Sequence, residues 1–207
     1  MKLQVAFDIL DIDKALNIAS KIEKYVDIFE VGSLLIYKYG ISSIEKFKEN
    51  FPQKTILADT KITDHAKDCV VLFSQNGADW ITVLSGAGKN TIQTACTIAH
   101  EFNKKIMLDL KDASSPGQYA LEAKSLGVDA LLMHKTSNDD NNDLFFEKWE
   151  MVKGNTNLPI FISTFENKDN ITESISLGAY AIVISRIITQ AENPEQEVKY
   201  IYDLISK

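Results

Sequence analysis

Eight short apolar runs recur along the chain: Leu3 to Phe7, Val26 to Phe29, Thr55 to Ala58, Trp80 to Leu84, Ile106 to Leu108, Ala130 to Met133, Pro159 to Ile162 and Ala181 to Ile184. Each is followed by a helical pattern. The residues at their C-terminal ends are Asp8, Glu30, Asp59, Leu84, Asp109, His134, Ser163 and Ser185. They return at a spacing of about 25, which marks a repeated supersecondary unit, here strand plus helix. Several connectors carry the i, i+3, i+4, i+7 stripe of an amphipathic helix: Ala15, Ile18, Ala19 and Ile22; Ile92, Ala95, Cys96 and Ala99; Val198, Ile201, Tyr202 and Ile205. These stripes are expected to pack inward on the strands. Gly77-Ala78-Asp79, Gly127-Val128-Asp129 and Gly178-Ala179-Tyr180 each stand between a helix and a strand, where a left-handed glycine stops a helix.

Eight strands alternating with eight helices, the strands short and rich in Val, Ile and Leu, imply an α/β protein with a parallel sheet covered on its outer face. The expectation is a single (β/α)8 barrel domain over residues 1–207, near the ~200-residue lower end for that fold. An open doubly wound sheet would need a Gly-rich phosphate turn after the first strand, and Asp8-Ile9-Leu10-Asp11 has none.

Composition narrows the partners. A net charge of −7 with no basic run argues against a nucleic acid or an anionic membrane. No apolar run is long enough to span a bilayer, and the opening residues enter a strand without a signal-peptide layout, so a cytoplasmic protein is expected. Cys69 and Cys96 lie far apart in helical patterns and read as reduced, buried thiols.

In a barrel the chemistry sits at the C-terminal ends of the strands. There the sequence places Asp8, Glu30, Asp59, Lys61, Asp109 and His134. A lone Asp-x-Lys is ordinarily a weak surface ion pair. Six ionisable groups brought to one mouth are a different matter, because burying them is costly unless they pair or bind a metal and a substrate. Asp59 and Lys61, two apart beyond the run Ile56 to Ala58, are expected to face the same side of a strand.

The residues that carry this pattern are Val5-Ala6-Phe7-Asp8, Asp27-Ile28-Phe29-Glu30-Val31-Gly32, Asp59-Thr60-Lys61-Ile62-Thr63-Asp64, Gly77-Ala78-Asp79 and Thr82-Val83-Leu84. Together they resemble the orotidine monophosphate decarboxylase superfamily over the whole chain, with Asp-x-Lys-x-x-Asp the most specific element. Within it the 3-hexulose-6-phosphate synthases look most similar, and the 3-keto-L-gulonate 6-phosphate decarboxylases next. Lys105 to Leu110 and Thr91-Ile92 favour the synthases, as does Ser137, which stands where the decarboxylases carry an arginine.

The resemblance implies a lyase that condenses formaldehyde with D-ribulose 5-phosphate, reversibly, with Mg2+ as cofactor. It also implies roles. Glu30 and Asp59 would ligate Mg2+, Lys61 would neutralise a developing enediolate, and His134 would move protons. Asp8 and Asp109 would hold substrate hydroxyls. Asp64 would reach into the neighbouring subunit's site in a two-fold homodimer, although an Asp just before a helix beginning near His65 is equally a common N-cap. For the substrate phosphate the family uses a Gly-Gly pair and a Gly-Arg pair. This chain has Ser163-Thr164 and Ser185-Arg186, whose hydroxyls can donate but whose Cβ atoms restrict close backbone approach. The acidic, polar stretch from His134 to Asp143 also departs from the family. Decarboxylation of 3-keto-L-gulonate 6-phosphate is the same-class alternative, and a non-catalytic barrel that binds a sugar phosphate is the alternative of another class.

Overall fold

The computed structural model describes residues 1–135, 142–164 and 168–206, so Ser137 and most of the polar stretch after His134 lie outside the described residues. Eight parallel strands, β1 (Lys2–Phe7), β2 (Ile28–Val31), β3 (Thr55–Ile62), β4 (Trp80–Leu84), β5 (Lys105–Asp109), β6 (Ala130–His134), β7 (Ile160–Ser163) and β8 (Ala181–Ile184), follow one another in chain order, and β8 closes on β1. The expected closed (β/α)8 barrel is therefore the fold. Around it lie α1 (Ile12–Ile22), α2 (Ser33–Tyr39), α3 (Ser42–Asn50), α4 (Ala66–Gln75), α5 (Lys89–Glu101), α6 (Pro116–Ala123), α7 (Asn142–Asn155), α8 (Lys168–Ser176), α9 (Arg186–Thr189) and α10 (Pro194–Ile205). Among the described residues that is two α-helices more than the eight expected. Gly40, at φ 60°, turns the chain between α2 and α3, and the short α9 precedes α10. No helix among the described residues is long and apolar enough to cross a membrane.

Strand periodicity divides the core in two. On β1, Leu3, Val5 and Phe7 face the helices and join the large outer core, whereas Ala6 points into the barrel. Ile28, Leu57, Met107, Ala130, Leu132, Phe161, Ala181 and Val183 share that interior with Ala6, and Trp80 packs on it. Continuing the same parity to the strand ends arrives at Asp8, Glu30, Asp59, Thr82, Asp109, His134, Ser163 and Ser185. Apart from Gln4, buried with the same parity on β1, the barrel interior is apolar below and polar at its mouth.

The helical stripes pack inward as expected, with one exception: Tyr202 is exposed and lies against Tyr25 on the surface, ring centroids 5.7 Å apart. Cys96 is buried, but Cys69 is only partly so; both are free thiols.

The glycine stops explain themselves at the opposite end of the barrel. Gly77 and Gly127 have φ of 104° and 90°, and each delivers an Asp two residues later. Asp79 gives its N–H to the Ile56 carbonyl, while its Oδ2 accepts from the Ile56 N–H at 3.0 Å. Asp129 does the same with Ile106, and Asp27 with Leu3. Three aspartates thus tie the starts of β2, β4 and β6 to those of β1, β3 and β5.

Candidate active site

At the C-terminal ends of the strands opens a cavity of about 580 Å³. Asp8, Glu30, Asp59, Lys61 and His134 line one part of it, and Ser163, Thr164, Ser185 and Arg186 another. The mouth also includes Ser33 and Lys111, with Leu34 and Tyr37 of α2 on its rim, none of which the sequence pattern singled out.

Asp59 and Lys61 do come together, but not by regular alternation. β3 runs on to Ile62 rather than ending near Ala58, and its register against β4 shifts between Ala58 and Ile62. Lys61 sits inside this irregularity with φ 46°, a left-handed conformation that costs a non-glycine residue about 1–3 kcal/mol. Its ammonium forms an ion pair with Asp59 Oδ2 and lies 3.9 Å from Asp109 Oδ2. Burial pulls the Lys61 pKa down, but the Asp59 and Asp109 carboxylates outweigh it, and the net shift is upward. The lysine is held as a cation. Asp59 is also gripped by two hydroxyls, Ser33 Oγ at 2.7 Å from Oδ2 and Thr82 Oγ1 at 3.1 Å from Oδ1.

Negative charge exceeds positive here. Glu30 is buried and accepts a bond from Gln4 Nε2 at 2.6 Å. Burial first, and then the charges of Asp59 and Asp8, hold its carboxyl well above the usual carboxylate range. Asp8 is raised as well, by burial and by Asp59, with Lys61, Lys111 and His134 opposing. Gly32 lets Asp8 occupy its place, since a Cβ there would lie 2.3 Å from Asp8 Oδ1 and 2.7 Å from the Phe7 carbonyl oxygen. Among the described residues no three His, Cys, Asp or Glu side chains are arranged to hold a metal unaided. Glu30 and Asp59 nonetheless fit a hard cation that takes one or two carboxylates and completes its shell with water and substrate oxygens, which is the habit of Mg2+.

Asp109 does not line the cavity, and its side chain has no exposed surface. Its Oδ1 accepts from the Lys111 N–H at 2.9 Å and lies 2.7 Å from His134 Nε2; its Oδ2 has no hydrogen-bond partner among the described residues. An acceptor against Nε2 fixes the proton on that nitrogen and leaves Nδ1 able to accept one. The hydroxyl-holding role that the resemblance implies for Asp109 is less suited to this burial than an orienting one.

On the far side of the mouth the Thr164 N–H is already bonded to the Val183 carbonyl at 3.0 Å. What the rim offers instead are hydroxyls: Thr164 Oγ1 and Ser185 Oγ are buried and have no hydrogen-bond partner among the described residues. Arg186 begins α9 next to them. Asp64 stands apart from the cavity, 83% exposed. It is not the cap of α4, for the capping position is His65, at φ 50°, whose N–H donates to Asp64 Oδ1 at 2.7 Å.

The sequence model of the orotidine 5'-phosphate decarboxylase / HUMPS family matches residues 1–201. The chain belongs to this family. Among its relatives, the 3-hexulose-6-phosphate synthase of Staphylococcus aureus (strain bovine RF122 / ET3-1) is 30% identical over 96% of both chains. That of Bacillus subtilis is 35% identical over 65% of this chain, a match that spans 64% of the Bacillus protein. The crystal structure of 3-hexulose-6-phosphate synthase from Salmonella typhimurium superposes with a TM-score of 0.90 at 27% identity, covering 100% of this chain and 99% of that one. The 3-keto-L-gulonate-6-phosphate decarboxylase from Vibrio cholerae superposes nearly as well, TM-score 0.86 over 99% of this chain and 97% of that one; at 23% identity the likeness is one of fold. As a member of the orotidine 5'-phosphate decarboxylase / HUMPS family with these relatives, the chain is an enzyme of the lyase class.

Proposed function

We propose that this family member catalyses the reversible, Mg2+-dependent condensation of formaldehyde with D-ribulose 5-phosphate to a 3-hexulose 6-phosphate. The observation that carries the reading is the Lys61 ammonium between Asp59 and Asp109, with His134 leaning on the same Asp109. It sets a base and a cation to receive negative charge side by side. His134 Nδ1 removes the proton from the carbon beside the ketone, and Lys61 balances the charge that develops on the enediolate oxygens. The resulting carbon nucleophile forms the new carbon–carbon bond with formaldehyde, whose oxygen takes up the proton carried by His134. A Mg2+ ion held by Glu30 and Asp59 would supply Lewis-acid stabilisation of the same oxygens. Asp8, beside them, is available to a substrate hydroxyl. The buried hydroxyls of Thr164 and Ser185, which have no hydrogen-bond partner among the described residues, supply with Arg186 donors and a charge for the phosphate.

The test is to supply the purified protein with formaldehyde and ribulose 5-phosphate, with and without Mg2+, and to follow formaldehyde consumption. CO2 release from 3-keto-L-gulonate 6-phosphate is measured in parallel. Turnover only in the second assay would replace this reading by the decarboxylase. Calorimetric binding of ribulose 5-phosphate with turnover in neither assay would leave a sugar-phosphate-binding barrel.

We also propose that the working form is a two-fold homodimer in which Asp64 serves the partner's mouth. Its exposure and its distance from its own cavity support this, since a carboxylate aimed at solvent does nothing for its own site.

A further inference from the structure

We propose that Thr82 is a positioning residue for this site: its hydroxyl couples the left-handed turn at Lys61 to the orientation of the Asp59 carboxylate. Thr82 lies on β4, fully buried, where β3 and β4 lose their regular register. In an unbroken parallel ladder, backbone groups of β4 would pair with alternate residues of this part of β3. Here Thr82 does so by other means. Its Oγ1 accepts from the Lys61 N–H at 2.9 Å and donates to Asp59 Oδ1 at 3.1 Å, while its carbonyl accepts from Thr60 Oγ1 at 2.7 Å.

A hydroxyl has one proton and two lone pairs, so these duties are linked. Because its one proton is given to Asp59, Oγ1 meets Lys61 only as an acceptor, and it satisfies an amide that the register shift would otherwise leave buried and unpaired. That amide belongs to the strained residue. Holding it stabilises the conformation that sends the Lys61 side chain back over Asp59 rather than along the strand. Ser33 Oγ, on the other side, lies 2.7 Å from Asp59 Oδ2 and 3.2 Å from the Asp59 carbonyl oxygen, and it accepts from Lys61 Nζ at 3.4 Å. Among the described residues it thus meets the ammonium of Lys61 and not its backbone N–H. Among the described residues, Thr82 is therefore the side chain that touches both the backbone of the cation and the carboxylate. Its role in catalysis rests on the function proposed above; its role in the bulge does not.

Thr82→Val keeps the shape and removes the hydroxyl, and Thr82→Ser keeps the hydroxyl. Amide hydrogen exchange, followed by NMR in the metal-free protein, reads the Lys61 N–H directly. Loss of a bond to a buried amide is expected to speed exchange at Lys61 about tenfold or more in Thr82→Val, with amides of β6 to β8 unchanged and Thr82→Ser close to wild type. In the aldol assay kcat should fall about tenfold or more with KM within about twofold, and Thr82→Ser should restore it. Wild-type exchange at Lys61 in Thr82→Val overturns the proposal, and so does faster exchange with undiminished kcat. If the wild-type protein turns over neither proposed substrate, the reaction assignment fails and the exchange comparison alone decides the coupling. Should Thr82→Val not fold, Thr82→Ala carries the same two measurements.

Discussion

His134 Nε2 lies 2.7 Å from Asp109 Oδ1, and the other oxygen of that carboxylate lies 3.9 Å from Lys61 Nζ. One buried side chain thus orients the candidate base and helps to hold the candidate cation. Asp109→Asn replaces an acceptor by a group that presents a donor on one side, so the imidazole or the ammonium must turn. The expected result is a fall in kcat of about a hundredfold, at the low end of what a general base contributes, with KM changed by less than about threefold. Steady-state kinetics on the substrate that the wild type turns over provides the check. An unchanged kcat would remove Asp109 from the mechanism.

The raised pKa of Glu30 would give the proposed Mg2+ site a pH signature. A carboxyl whose folded-state pKa exceeds its unfolded value of about 4.3 favours folding below that value, and the contribution is lost as pH rises through the raised folded value. Mg2+ competes with the same proton, so its stabilising effect should grow as pH rises. The thermal shift produced by Mg2+ is expected to be larger at about pH 8 than at about pH 6, and Glu30→Gln should abolish it. A shift of equal size at both pH values, retained in Glu30→Gln, would move the metal elsewhere.

Asp79 works the other way. Burial alone would raise its carboxyl, but the Ile56 N–H, Lys48 and Lys104 bonds outweigh burial and lower it. A depressed folded-state pKa stabilises the protein above the unfolded value of about 3.9, and the contribution is lost as pH falls through the lowered folded value. Asp79→Asn should cost about 1–3 kcal/mol at neutral pH, with the deficit narrowing under acid and activity per folded molecule intact. Urea titrations across pH test it; a constant deficit down to about pH 2 would contradict the linkage.

Asp64→Ala should lower turnover while leaving the unfolding midpoint in place, because the residue is exposed and caps nothing. Mixed with Lys61→Ala after subunit exchange, it should regain activity, since about half of the mouths of each mixed dimer would be whole. Exchange demonstrated without any recovery would end the shared-site proposal and leave the barrel untouched.

Much of this architecture is legible in the chain because strand periodicity and the repeat act together. Asp8, Glu30, Asp59, Asp109 and His134 each end an apolar run with the parity that faces the barrel interior. Thr82 shares that parity but stops short of the end of its run at Leu84, so attention falls on the wrong residue. The left-handed Lys61 depends on the bulge in β3, and nothing in Asp59-Thr60-Lys61-Ile62 distinguishes a bulge from regular alternation, while Ser33, at the start of α2, meets Asp59 only once the chain is folded. The extra helices are a gentler case. Gly40 does interrupt the pattern, but whether a glycine ends a helix or merely weakens it depends on its φ.

The aspartates that tie β2, β4 and β6 to their neighbours lie at the end of the barrel away from Lys61 and His134. Cohesion and chemistry are therefore drawn from opposite ends of the same strands. For an engineer this is a division of labour: a library varied at Ser163, Thr164 and Ser185 can explore new ligands against a foundation those changes do not touch, and its failures should be soluble proteins that bind poorly rather than chains that never fold.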